Sequence, residues 1–183
     1  MLIDPHKTTL LVVDIQEKLI GAMSDPDGMR ARARWLLAAC ADLELPTVIS
    51  EQYPKGLGHT LPELLAVAKS AEVVEKSHFS CVAAQCLPDS LLAREQVIVC
   101  GMETHVCVLQ TVLGLLHLGK QVFVVEDVCD SRTPANKAAG LARMAQAGAQ
   151  LVTREMVLFE LLGNASHPRF RHISKTYMVG DQP

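Results

Sequence analysis

Apolar and polar positions along the chain fall into two alternating kinds of segment. Short runs rich in β-branched residues, at 9–13, 47–50, 72–75, 96–100, 121–125 and 150–152, have the length and flanking residues of strands. Between them lie longer segments with apolar residues at helical spacing: 27–43, 61–68, 89–94, the stretch beyond Cys107, 135–147, and one starting near Glu155 that carries Met156, Leu158, Phe159 and Leu162. Pro62 and Pro134 suit the first turns of their helices. Residues 51–58 read as a loop from their Tyr-Pro step and two glycines, and 127–133 as a polar loop whose Asp127, Asp130, Ser131 and Thr133 are turn and capping residues. Residues 77–87 show no clear period, and the tail beyond His167-Pro168 shows only a weak helical one.

Strands that alternate with helices predict parallel β-α units joined by right-handed crossovers. The expected fold is a single domain over residues 1–183: a three-layer α/β/α open sheet of about six parallel strands in the Rossmann-like order 3-2-1-4-5-6. In such a sheet, ligands bind beyond the carboxyl ends of the strands, near the point where strand order reverses. Asp14, Lys76 and the segment Gly101-Met102-Glu103-Thr104-His105-Val106-Cys107 follow the first, third and fourth strands. That segment reads as strand, tight turn and helix, with Thr104 or a neighbour as the cap. Cys107 is then in the first turn, where the helix dipole and Lys76 favour a thiolate. Each residue also has a plainer role: Cys107 as a small buried hydrophobe, Asp14 as a turn former, Lys76 as a solvated edge charge. Together, a thiol, a carboxylate and an ammonium make a coherent set for nucleophilic chemistry.

Composition narrows the function classes. A chain of 183 residues with 49% hydrophobic and 20% charged residues has the makings of one substantial core and is not a disordered chain. A net charge of -3 supplies no basic field for nucleic acid or an anionic membrane, so neither is an expected partner. The longest apolar runs, such as 10–13 and 112–116, fall far short of the roughly 18 residues that mark a membrane span, and no signal-peptide pattern opens the sequence. Six cysteines without a C-x-x-C pair are expected to be reduced thiols in a cytoplasm. Cys40 and Cys100 fall in apolar segments and should be inert, while Cys81, Cys86 and Cys129 have no evident activating cation. The absence of G-x-G-x-x-G and G-x-x-x-x-G-K argues against a nucleotide or flavin site.

Five segments then carry a resemblance: Val12-Val13-Asp14-Ile15-Gln16, Glu51-Gln52-Tyr53-Pro54-Lys55-Gly56-Leu57-Gly58, Lys76-Ser77-His78-Phe79-Ser80, residues 101–108, and Ser131-Arg132-Thr133-Pro134. In order and spacing the chain resembles the isochorismatase-like cysteine hydrolases, and among them the short isochorismatase-domain proteins. The resemblance implies Asp14 as general base, Lys76 as orienting cation and Cys107 as nucleophile. It also implies a non-proline cis peptide between Met102 and Glu103, and an oxyanion hole formed by the backbone N–H groups of Glu103 and Cys107. Gln16, Glu51, Gln52, Tyr53 and Phe79 are candidates for the substrate pocket.

Nicotinamidase-type members hold a metal through an Asp-x-His arrangement after the second strand. Here that stretch is Ser50-Glu51-Gln52-Tyr53-Pro54, so no metal and no organic cofactor is expected. The activity implied is hydrolysis of a small non-peptide amide through a thioester. The alternatives are hydrolysis of another small-molecule bond and an interaction protein without activity. The helix after Cys107 carries Val108, Leu109, Val112, Leu113, Leu115, Leu116 and Leu118 on more than one face, which predicts cover from a second subunit in a homo-oligomer.

Overall fold

The computed structural model describes residues 1–179; residues 180–183, which the expected domain includes, lie outside the described residues. Six strands, β1 (Thr8–Val13), β2 (Thr47–Gln52), β3 (Glu72–Lys76), β4 (Gln96–Met102), β5 (Gln121–Asp130) and β6 (Gln150–Val152), form one sheet. All neighbouring strands are parallel, and their order is β3-β2-β1-β4-β5-β6, as the alternating pattern predicts. The connections hold helices α1 (Glu17–Ile20), α2 (Pro26–Asp42), α3 (Pro54–Leu57), α4 (Pro62–Val67) and α5 (Asp89–Leu92). Further along are α6 (Leu109–His117), α7 (Pro134–Gln146), α8 (Arg154–Leu162) and α9 (Phe170–Ile173).

The strands alternate between two covered faces, which is why they read as nearly continuous apolar runs. Leu10, Val12, Ile98, Cys100, Phe123 and Val125 pack into the layer of α2, α4 and α8. Leu11, Val13, Val97, Val99, Val122 and Val124 pack into the layer of α5, α6 and α7. The cover that α6 needs is supplied in part within the chain, since Leu109, Val112 and Leu115 are buried in this second layer. Among the described residues, no helix is long and apolar enough to cross a membrane.

Two strands run further than their sequence pattern. β5 continues to Asp130, through part of the expected polar loop: after an irregularity in the ladder, Cys129 and Asp130 pair with Gly101 and Met102. Glu126 and Asp127 sit at that irregularity and break the apolar run. β2 takes in Glu51 and Gln52, which pair with Glu75 and Lys76 despite their loop-like residue types. Both extensions lie at the carboxyl edge of the sheet, where β4 also crosses close to β1. Gly101 has φ +128°, and a Cβ built there would fall 2.0 Å from the carbonyl oxygen of Val13. Only glycine fits this approach, and it sets the spacing of the two central strands one residue before Asp14.

Candidate active site

Parallel register brings the ends of four strands side by side: Val13 lies opposite both Ser50 and Gly101, and Gln52 lies opposite Lys76. Asp14 leaves β1 in the left-handed region, with φ 55°, which aspartate tolerates better than most side chains. Its N–H donates to the Ser50 carbonyl at 3.0 Å. The carboxylate then gathers three donors. Oδ1 accepts from Ser50 Oγ at 2.7 Å, Oδ2 accepts from Lys76 Nζ at 2.6 Å, and the thiol of Cys107 is a further hydrogen-bond partner. Both side chains of the Asp14–Lys76 pair have 0% exposure.

Lys76 Nζ also donates to Gln52 Oε1 at 2.7 Å, and Gln52 Nε2 donates to the Ser77 carbonyl at 2.8 Å, which orients the amide. Gln16 clamps the same strand end. Its Oε1 accepts from Gln52 N at 2.7 Å, and its Nε2 donates to the carbonyls of Gln52 and Gly58 at 3.0 and 2.6 Å. Glu51 turns to the following loop, accepting from Thr60 N at 2.7 Å and pairing with His59 Nδ1 at 2.9 Å. Tyr53 and Phe79 are 58% and 53% exposed. A depression of about 310 Å³ beside Lys76 is lined by Tyr53, Pro54, Lys55, Glu75 and Ser77. A larger cavity of about 690 Å³, lined by residues such as His6, Pro46 and Arg94, lies at the opposite edge of the sheet, away from Asp14.

The turn that carries Cys107 differs from the expected capped α-helix. The Met102–Glu103 peptide is cis, and residues Thr104–Val108 form one wide π-helical turn in which Val108 N donates to the Glu103 carbonyl at 3.2 Å. Thr104 does not cap: its hydroxyl is buried against β5 and donates to the Asp130 carbonyl at 2.9 Å. His105 Nδ1 meets Ser131 Oγ at 3.0 Å, and the Glu103 carboxylate accepts from Arg132 N and Nε at 3.2 and 3.0 Å. Asp130 holds the back of this region by accepting from Ser24 Oγ, Asp25 N and Ser131 N. Ser50 and Asp130 were not among the sequence candidates. A strand-end hydroxyl one register step from Asp14 is the signal that finds Ser50.

The electrostatics reverse one expectation. Burial, then the negative charge of Asp14, outweigh the Lys76 ammonium and push the Cys107 thiol up to about 12. The resting sulfur is therefore a thiol held against a carboxylate, not the neutral-pH thiolate that a helix N-terminus alone predicts. Burial also raises Asp14, against the opposing effects of Lys76, Ser50 and the thiol, which makes it a stronger proton acceptor. Cys81 is a second correction. A hydrogen bond with Cys86 and the nearby Lys76 ammonium outweigh its burial and hold it at about 7, so it does have an activating cation. Among the described residues no group of three or more His, Cys, Asp or Glu side chains is placed to hold a metal ion.

Removing one member of a buried ion pair leaves the other charge without a partner or water. Lys76→Met should therefore lower unfolding stability by about 3–5 kcal/mol. Adding Asp14→Asn to that variant should recover part of the loss. Urea titration of the single and double variants checks both outcomes.

With this geometry in place, comparison with known proteins gives a consistent result. The family model described as Isochorismatase domain matches residues 8–156. Mouse isochorismatase domain-containing protein 2A is 41% identical over 174 residues, covering 93% of this chain and 82% of its own length. A solved structure described as MAR1 ribonuclease from Caenorhabditis elegans has a TM-score of 0.92 and 37% identity, covering 100% of this chain and 95% of that one. The YcaC gene product of Escherichia coli, described as an octameric hydrolase of unknown specificity, has a TM-score of 0.86 and 26% identity, with 97% of each chain covered. The fold, the span of the match and the level of identity agree: the chain belongs to the isochorismatase family of hydrolases.

Proposed function

We propose that this hydrolase is cysteine-dependent and cleaves a small non-peptide amide through a thioester. One observation carries the reading: an unbroken, water-excluded run of hydrogen bonds from the Cys107 thiol through the Asp14 carboxylate to the Lys76 ammonium. As Cys107 sulfur bonds to the amide carbon, its proton passes to Asp14, whose raised affinity for a proton suits it to this step. The carbonyl oxygen takes up the negative charge and is held by the backbone N–H groups of Glu103 and Cys107. Asp14 then gives the proton to the leaving nitrogen as the C–N bond breaks. In the second half, Asp14 takes a proton from water, which attacks the thioester, and the thiol is restored. Lys76 positions the carboxylate throughout, with Gln52 fixing the lysine. Tyr53 and Phe79 form the pocket wall, while Gln16 and Glu51 hold the strand end and loop that present it.

The test is ammonia or amine release from a panel of small carboxamides, with wild type beside Cys107→Ala. The reading predicts turnover of at least one amide and a loss of about 1000-fold or more in the variant. Amide turnover that survives in Cys107→Ala would reject it. The description of the Caenorhabditis elegans structure as a ribonuclease makes RNA a second substrate class for the same panel. The net charge of -3 disfavours it here.

A homo-oligomer belongs to the same proposal. Tyr53, Val73 and Phe79 are large apolar side chains left 45–58% exposed on and near the β3 edge, and the Escherichia coli relative is described as octameric. Light scattering should return a multiple of 19.9 kDa, and a monomer mass would contradict it.

A further inference from the structure

The connection from β3 to α5 holds a pair of cysteines that the hydrolytic reading does not use. Ser80 opens one helical turn, with its Oγ accepting from Ala83 N at 3.2 Å and its carbonyl from Ala84 N at 3.0 Å. The turn closes with Gln85 N donating to the Val82 carbonyl at 3.0 Å and Cys86 N to the Cys81 carbonyl at 3.3 Å, while Gln85 is left-handed with φ 52°. This is a Schellman closure, which brings the side chains at its first and sixth positions together, usually as an apolar contact. Here both are cysteines. The 6→1 hydrogen bond draws the two backbones together, and disulfides favour Cα atoms roughly 5.5–6 Å apart. Cys86 Sγ lies 3.5 Å from the Cys81 carbonyl oxygen, and the two side chains are hydrogen-bonded to each other.

The pair is held firmly and is reachable from one side. Cys81 N donates to Thr111 Oγ1 at 3.0 Å, and Val82 sits on Gly114, where an added Cβ would fall 2.9 Å from Val82 Cβ; both contacts anchor the turn on α6. Cys81 is fully buried and Cys86 half-buried, so a small reagent reaches Cys81 past Cys86. Behind Cys81 lie the Lys76 ammonium and the hydroxyl of Ser50, which also donates to Asp14.

We propose that Cys81 and Cys86 are a redox-active dithiol that a small two-electron oxidant such as hydrogen peroxide converts to an intramolecular disulfide. In the first step Cys81, which holds the thiolate of the pair beside Lys76, attacks a peroxide oxygen: an S–O bond forms, the O–O bond breaks, and the hydroxide that leaves takes up the proton the thiol released as one water, giving a sulfenic acid. In the second, Cys86 sulfur attacks Cys81 sulfur: the S–S bond forms, the S–O bond breaks, and hydroxide leaves with the Cys86 proton as a second water. The sum is two thiols and one peroxide giving one disulfide and two waters, and a dithiol reductant reverses it by exchange. The proposal stands independently of the hydrolytic reading, because neither sulfur is assigned a part in that reaction.

The experiment treats reduced full-length protein with a small excess of hydrogen peroxide, then alkylates it in denaturant and maps the peptides. A Cys81–Cys86 cross-link is expected, with a mass about 2 Da lower before alkylation and only four of the six cysteines alkylated. Dithiothreitol should restore six. Cys86→Ser, a near-isosteric change at a half-buried position, should abolish the cross-link, and Cys107→Ala should leave it intact. Six alkylated cysteines after peroxide, a disulfide that includes Cys107, or a cross-link that persists in Cys86→Ser would each overturn the proposal. Loss of amide turnover in Cys107→Ala bears only on the hydrolytic reading.

Discussion

The ion pair between Lys76 and Asp14, sealed from water on both sides, is the constraint on which this site depends. Taking two charges out of water costs several kcal/mol for each, and their attraction offsets that only when their remaining hydrogen-bonding capacity is filled. The sheet fills it. Parallel register aligns the ends of β1, β2 and β3, so that Ser50 reaches the carboxylate and Gln52 reaches the ammonium. Gln16 then locks the end of β2 to the residues that follow β1. Much of the polar chemistry beyond the strands is there to hold one buried charge pair in place.

That pair also sets the state of the thiol. An ammonium alone near Cys107 would favour a thiolate, but Lys76 is shared with Asp14, and the carboxylate is the closer influence on the sulfur. The proton stays on sulfur at rest. Under the proposed function, the nucleophile is made during attack rather than stored, which protects a buried thiol from indiscriminate reaction and couples its activation to a bound carbonyl. Cys81 shows the opposite balance a short distance away. Its neighbours are a hydrogen-bonding thiol and the same lysine, so Lys76 favours the thiolate at both sulfurs and is outweighed only at Cys107, by burial and Asp14.

The apolar periodicity was enough to read the strand sequence, because strands covered on both faces leave uninterrupted Val, Ile and Leu runs. It failed where polar residues do strand work. Glu51 and Gln52 pair with β3, and Cys129 and Asp130 rejoin the ladder after Glu126 and Asp127 interrupt it. Asp14, Lys76 and Cys107 were legible as residues that each follow an apolar run. Ser50 was not, since it depends on a neighbour across the sheet, and neither was the closeness of Cys81 to Lys76, which depends on how the irregular stretch between them turns back. The expected cap by Thr104 or a neighbour did not form, because a wide turn places the Thr104 hydroxyl on β5.

The central claim is that the Asp14 carboxylate keeps the proton on the Cys107 thiol. Its most direct measurement is the rate of Cys107 alkylation by iodoacetamide as a function of pH, in wild type and in Asp14→Asn, read by peptide mapping. Removing the carboxylate charge while Lys76 remains should favour the thiolate, so Asp14→Asn is predicted to label Cys107 faster near neutral pH by about tenfold or more. Labelling that is unchanged or slower in Asp14→Asn would contradict the account.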